Sequence, residues 1–458
     1  MREGLHKIVS AEDTIVALST PSGRSGIGVI RVSGVAAPHI AHRFFRSSLP
    51  LRHRLATVGR WHAPDGEVID DVVVILYEEP HSYTGENVLE ISAHGNPFVL
   101  NRIISVIREA GARVAIPGEF TLRAVANGKM DLIQAEAVRE FIEAQTDTQA
   151  RTALRQMDGS VSKQIAPIKD GLIGLIAHLE AGIDFAEDDV DLPDARRSAD
   201  ELLALRGALE ALQKTYSYGR LLTAGIRIVI AGQPNVGKSS LFNRLVAMDR
   251  AIVTEVPGTT RDVLSEAADL NGIPVRFFDT AGVRETADRV ERIGVTRALE
   301  TLTEADLVLL VVDGSLPLNA EDLRLRDRIK GLPHLIVANK LDLASDPDPA
   351  LEELEPVRVS TRTGEGLDVL RDRIGKLMQS DRAQAFAEAI LTSSRQNEDV
   401  LRAIAALEAG EAALRGGTPH EMALLDLYEG LSSLNELTGE ITTEDILGHI
   451  FSTFCVGK

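Results

Sequence analysis

The sequence predicts a multidomain chain of α+β and α/β class: an N-terminal α+β domain, an α-helical bundle, and an α/β unit inserted in that bundle. Three observations predict it. The first is length, since 458 residues at roughly 150 per domain make about three domains. The second is texture. Short β runs punctuated by Gly, Pro and Asn give way to long helical periodicity, which lies on both sides of a block of nearly all-apolar runs. The third is the pattern Gly232-Gln233-Pro234-Asn235-Val236-Gly237-Lys238-Ser239 at the start of that block, after a strand and before a helix.

In chain order, Thr14–Ala17, Ile27–Val32, Val72–Leu76 and Val88–Ser92 read as strands, and Pro97–Ala110 as a helix. Helical periodicity begins near Ala135, breaks at Asp158–Gly159 and at Asp188–Pro193, and runs to about Thr215. Ile226–Ile230, Val275–Phe278, Leu307–Val312, Leu335–Val337 and Val357–Val359 fit strands buried on both faces of a mostly parallel sheet. Helical texture resumes after Met378 and breaks at Gly416–Pro419. A last helix begins at Thr443 with Ile446, Leu447, Ile450, Phe451 and Phe454 on one face. These changes place boundaries at 1–128, 129–222, 223–380 and 381–458. Insertion of the third part between the second and fourth is favoured over beads on a string.

Composition excludes several classes. Lys and Arg total 49 against 68 Asp and Glu, a net charge of −19. Such a chain does not coat nucleic acid or anionic lipid by bulk charge, so an RNA contact needs a local basic patch or a partner's surface. The most basic stretch, Arg43, Arg46, Arg52, Arg54 and Arg60, reads as a solvated face. One Cys excludes a disulfide framework and a Cys-based metal site within one protomer. Met1–Thr20 lacks a signal-peptide apolar core, and the apolar runs are strand-length. The expectation is a soluble, cytoplasmic protein.

The phosphate-loop pattern carries chemistry. Its glycines let backbone N–H groups wrap a β-phosphate, Lys238 reaches the β and γ phosphates, and the Ser239 hydroxyl, followed by Ser240, completes a Mg²⁺ shell. Asp279-Thr280-Ala281-Gly282 ends the next strand, where Asp279 reaches Mg²⁺ through water and the Gly282 N–H senses a γ-phosphate. Asn339-Lys340-Leu341-Asp342 ends another. Its Asp342 carboxylate can accept both N1–H and the 2-amino group of guanine, a pairing that adenine cannot offer. Ser360-Thr361-Arg362 follows the next strand, where backbone groups can meet guanine O6. All four in this order imply a guanine-nucleotide-binding domain. Thr260, in Gly258-Thr259-Thr260-Arg261-Asp262, is the hydroxyl chosen to close on Mg²⁺. Val283 stands where Ras-like enzymes carry a water-orienting glutamine, which leaves a slow switch or a water positioned from elsewhere; Glu285, Asp288 and Glu291 are candidates.

With these residues in view, the chain closely resembles the MnmE (TrmE) family of tRNA-modification GTPases over essentially its whole length. The resemblance is carried by Asp13–Ala17, Gly23–Gly34, Tyr83–Glu90, Pro117–Thr121, Asp131–Ala137, Pro257–Asp262 and the ending Phe454-Cys455-Val456-Gly457-Lys458. It implies an N-terminal dimerising, folate-binding domain and a Ras-like P-loop G domain inserted in a helical domain. It implies a homodimer that joins the flavoprotein MnmG in a heterotetramer. The complex adds an aminomethyl-type group to C5 of the wobble uridine of certain tRNAs, with a tetrahydrofolate derivative (5,10-methylene or 5-formyl) as one-carbon donor and FAD and NADH on the partner. By the same resemblance Glu291 orients the attacking water. Asn235, Thr254, Val256 and Thr259 hold K⁺ when two G domains meet, and Arg31, Glu90, Lys129 and the terminal Lys458 bind folate. Cys455 either assists one-carbon chemistry or is a small buried hydrophobe. The competing readings are a regulatory switch GTPase of ribosome-assembly type without a direct role in tRNA chemistry, and a folate-dependent transferase in which the G domain only regulates.

Overall fold

The structure, a computed structural model, describes residues 13–184, 195–248, 265–270, 272–279, 305–343, 348–378, 388–441, 444–454 and 457. The described residues form two units, each assembled from separated stretches of chain. One takes residues 1–139, 156–208 and 398–458, the other 140–155 and 209–397.

In the first unit, period-two alternation of β-branched residues builds a sheet from β1 (Ile15–Leu18), β2 (Ile27–Ser33), β3 (Phe45–Arg46), β4 (Thr57–His62), β5 (Val68–Tyr77), β6 (Val88–His94) and β7 (Arg113–Val114). Their order is β3-β4-β5-β6-β2-β1-β7, antiparallel except where β1 meets β7. Helices Ala37–Phe44 and Pro97–Glu109 pack their apolar stripes on one face, around Ile30, Val32, Trp61, Val74, Leu89 and Ile91. Because successive side chains alternate, Arg31 lies between the buried Ile30 and Val32 and points the other way. Its register partner on β6 is Glu90.

The same unit holds helices Glu119–Ala126, Ser160–Asp184, His420–Thr438 and Glu444–Ser452, with His420–Thr438 packed along Ser160–Asp184. The predicted break at Asp158–Gly159 falls between helices Asp147–Met157 and Ser160–Asp184; the one at Asp188–Pro193 lies outside the described residues. The last helix buries Leu447, Ile450 and Phe451, followed by Phe454, against Leu122, Leu132, Ala135 and Val138. That is the face its periodicity predicts, and the side chain of Ile446 lies outside the description.

In the second unit, β8 (Ile226–Ala231), β9 (Ser265–Leu270), β10 (Ile273–Asp279), β11 (Leu307–Asp313), β12 (His334–Asn339) and β13 (Val357–Arg358) run in the order β13-β12-β11-β8-β10-β9. All pair in parallel except β9 on β10. The central strand β11 is buried along nearly its whole length, as a strand covered on both faces must be. Flanking segments are tied to this unit by hydrogen bonds. The Thr146 hydroxyl donates to the Gly272 carbonyl (2.8 Å), the Gln149 amide to Leu222 O (2.6 Å), and the Leu391 N–H to the Thr215 hydroxyl (3.1 Å). Among the described residues no helix is long and apolar enough to cross a membrane.

Candidate functional site

A parallel sheet gathers functional loops at the carboxyl ends of its strands. Here the ends of β8, β11 and β12 and the loop after β13 converge. The chain leaves β8 through Gly232 and enters helix Lys238–Met248 through Gly237. Both glycines are required. Gly232 has φ +146° and a Cβ there would meet Val311 O at 2.2 Å; Gly237 has φ +100° and a Cβ would meet Asn339 Nδ2 at 2.1 Å. Asn235 takes φ +65°, a left-handed conformation that Asn tolerates better than most side chains. The loop wraps back so that the buried Lys238 amine donates to the Gln233 carbonyl at 2.6 Å. Ser239 and Ser240 stand in the first turn, where the direction of the backbone N–H groups and the positive end of the helix dipole favour an anion.

Asn339 is the fastener between the phosphate loop and the loop after β13. Its amide donates to Val236 O (2.8 Å) while its Oδ1 accepts from the Thr361 N–H (3.1 Å). Lys340 donates to Asp313 at 2.6 Å. Burial pushes the Asp313 carboxyl up, but Lys340 and Ser315 outweigh it and hold the pKa below its ordinary value. Asp342 accepts from the Ser360 hydroxyl (2.5 Å) and from Arg362 Nε (2.7 Å), and these two donors hold its carboxyl below the usual range. A carboxylate has about four acceptor sites, so capacity remains beside these two side-chain donors for a ligand's N–H groups. Nothing in the one-dimensional pattern singles out Gln233, with its bonds to Asn319 (2.7 Å) and Asp322 (2.8 Å). A polar residue closing an all-apolar strand is the one signal that points to Asp313. Asp279 closes β10, and its side chain is not described. Thr254, Val256, Thr259, Thr260, Thr280, Ala281, Gly282, Val283, Glu285, Asp288 and Glu291 lie outside the described residues.

A second constellation sits on the other face of the first sheet, partly covered by Phe120 and Tyr83. The Arg31 fork donates to Glu90 Oε1 from Nε (3.0 Å) and Nη2 (2.7 Å). The guanidinium carbon lies 5.5 Å from the Tyr83 ring centroid and 5.8 Å from that of Phe120, within cation–π range. Glu90 Oε2 has only the Tyr77 hydroxyl, at 3.4 Å, among the described contacts. It is therefore the oxygen most able to accept from a ligand. The Lys129 amine donates to Pro80 O (3.1 Å), and its stem lies against Gly85, in the loop that also carries Tyr83. Gly457 comes to the end of β1, where its carbonyl accepts from the Ser19 hydroxyl (3.2 Å). Cys455 and Lys458 lie outside the described residues. A carboxylate oxygen able to accept, beside a cation and the partly buried Tyr83 ring, fits a donor-bearing heterocycle with an anionic tail, so the donor set suits a folate; Phe120 is fully buried beneath them. Of the basic stretch, Arg60 pairs with Asp71 (3.1 Å) and Arg43 lies over the Phe44 ring at 5.1 Å.

The parallel sheet with a glycine-shaped loop between β8 and its helix, fastened by Asn339 to the loop after β13, defines a P-loop GTPase-type nucleotide-binding protein. Comparison with known proteins narrows this. A family model described as GTP-binding protein TrmE N-terminus matches residues 14–129, and one described as MnmE helical domain matches residues 132–455. The tRNA modification GTPase MnmE of Koribacter versatilis is 44% identical over 455 residues, covering 98% of this chain and 100% of that protein. That of Aquifex aeolicus is 43% identical over 450 residues, covering 97% and 100%. Among solved structures, the G domain of the T. maritima FeoB iron transporter is 28% identical and covers 34% of this chain and 99% of that one, at a TM-score of 0.27. A superposition of that quality carries no argument. The chain belongs to the MnmE family of tRNA modification GTPases, and it is a GTP hydrolase that takes part in tRNA modification.

Proposed function

We propose that this chain hydrolyses GTP in a K⁺-dependent cycle coupled to face-to-face pairing of G domains in a homodimer. With MnmG it installs an aminomethyl-type group on C5 of the wobble uridine, using a tetrahydrofolate one-carbon donor. The observation that carries the reading is the coexistence in one chain of the fastened phosphate loop and the Arg31–Glu90 pair on an aromatic floor. A switch protein alone has no use for the second. In this reading Asp342 reads the base, Lys238 steadies the phosphates, and Ser239 with Thr260 would hold Mg²⁺. Glu291 orients water, Arg31 and Glu90 hold the pterin end of the folate, and Lys129 with Lys458 its anionic tail. The parts 1–128, 129–222, 223–380 and 381–458 are taken as the dimerising folate domain, the two halves of the helical domain, and the G domain between them.

Mass analysis of tRNA nucleosides from cells with and without the gene tests the whole. Loss of one modified wobble uridine is expected, and an unchanged nucleoside set would leave the regulatory switch as the better account.

Two narrower predictions belong here. Asn235, with Thr254, Val256 and Thr259, would hold K⁺, and a cation there neutralises charge on the transferring phosphoryl group as an arginine finger does. Such a finger is worth about 10³–10⁵ in rate, so GTP turnover in K⁺ should exceed that in Na⁺ by at least about tenfold. Equal rates at matched ionic strength would remove the cation. For the folate, Glu90→Gln leaves Arg31 without its counter-charge and replaces a charged acceptor, so 5-formyltetrahydrofolate should bind about tenfold more weakly or worse. Calorimetry on the full chain reads this, and an unchanged affinity would move the folate elsewhere.

A further inference from the structure

Helix Lys238–Met248 turns Leu241 and Leu245 into the core and leaves Arg244 exposed. That arginine nevertheless makes two defined bonds. Its Nε donates to Thr361 O and its Nη2 to Arg362 O, each at 3.0 Å. A planar guanidinium that grips two successive carbonyls fixes two successive peptide planes.

We propose that Arg244 is the positioning residue that aims the backbone donor for guanine O6; this rests on the reading of the second unit as a guanine site. In a trans peptide the C=O and the following N–H point to opposite sides, and the cis bond among the described residues is elsewhere, at Glu79–Pro80. With Thr361 O turned to Arg244, the Arg362 N–H is turned away from the helix. Its neighbours are already spoken for: the Thr361 N–H bonds Asn339 Oδ1, and the Thr363 N–H bonds the Ser360 hydroxyl at 3.2 Å. The Arg362 N–H has no hydrogen bond to a described residue. The same loop presents Asp342, held by Ser360. One donor beside one carboxylate matches the acceptor–donor–donor edge of guanine, and opposes the 6-amino group of adenine. Asn339 holds this loop from one side and Arg244 from the other. The base would therefore meet a rigid edge.

The test compares three diphosphates on the full-length chain by titration: GDP, IDP, which keeps O6 but lacks the 2-amino group, and 6-thio-GDP, which keeps both donors but carries a poor acceptor at position 6. For Arg244→Met the expected loss is about five- to tenfold for GDP and for IDP, the order of one misaimed hydrogen bond, with little loss for 6-thio-GDP. KM for GTP should rise while kcat stays, and Arg244→Lys, which can reach one carbonyl only, should fall between. Equal losses for all three diphosphates, or none, would overturn the role. If the wild-type chain itself failed to prefer GDP over 6-thio-GDP, the guanine reading would fall; if it discriminates and Arg244→Met discriminates equally, only the role of Arg244 falls.

Discussion

An Asp342→Asn chain is expected to lose GTP and gain xanthosine triphosphate, with a swing in relative affinity of about 100-fold or more. Guanine offers two donors, N1–H and the 2-amino group, and the carboxylate can accept both. Asparagine keeps one acceptor and turns the other atom into a donor, which faces the 2-amino group of guanine but matches the 2-oxo group of xanthine. The surroundings favour a clean exchange. Asp342 is fixed by Ser360 and Arg362, so the replacement side chain has the same hydroxyl to orient it. The effect should be confined to the base: hydrolysis with saturating xanthosine triphosphate should approach the wild-type rate with GTP. A variant that keeps its preference for GTP in competition binding would remove Asp342 as the reader.

How far these sites were legible in the sequence depends on the range of the forces involved. The strands Ile226–Ile230 and Leu307–Val312 were legible because continuous apolar runs have few other homes, and β8 and β11 extend each by one residue. β9 was not. Its sequence, Ser-Glu-Ala-Ala-Asp-Leu, favours a helix, and it is a strand because it pairs antiparallel along β10 from Ser265 to Leu270, a tertiary gain that overrides propensity. β4 was hidden by Gly59 and Arg60 at its centre. In the nucleotide site, the residues set by local backbone demands were readable, because only glycine fits at Gly232 and Gly237. The fasteners were not: the bonds of Arg244, Asp313 and Gln233 join atoms 2.6 to 3.0 Å apart in space that belong to residues 27 to 118 positions apart in sequence. On the other face of the first sheet, Arg31 and Glu90 read as surface charges, and it is the register of β2 on β6 that makes them a pair.

Arg123→Met should destabilise the first unit by about 3–5 kcal/mol, the cost of stripping one partner from a buried ion network. The guanidinium is fully buried. It donates to Asp13 Oδ1 (2.5 Å), Glu119 Oε1 (3.0 Å) and both oxygens of Glu86 (3.1 Å each). Arg113 binds Asp13 and Glu119 from the other side. Three carboxylates share two arginines, so losing Arg123 leaves carboxylates facing one another in a site that water reaches poorly. Burial pushes the Asp13 and Glu119 carboxyls up, yet the arginines outweigh it and both pKa values lie below their ordinary values. A depressed carboxyl contributes stability that is full above its unfolded pKa, about 4, and is lost as pH falls through the folded value. The wild-type unit should therefore weaken below about pH 4, and Arg123→Met should already be weak at neutral pH and change less on acidification. Trp61, the one tryptophan in the sequence, is fully buried in this unit, so its fluorescence reports the melt. The midpoint should drop by roughly 10 °C, against little change for Arg102→Met, whose pair with Glu67 is exposed. The network also ties Glu86, one residue beyond Gly85, to the helix that carries Phe120, so folate affinity should fall with it. A melt unchanged by Arg123→Met would mean that the three carboxylates relax into water instead of relying on that arginine.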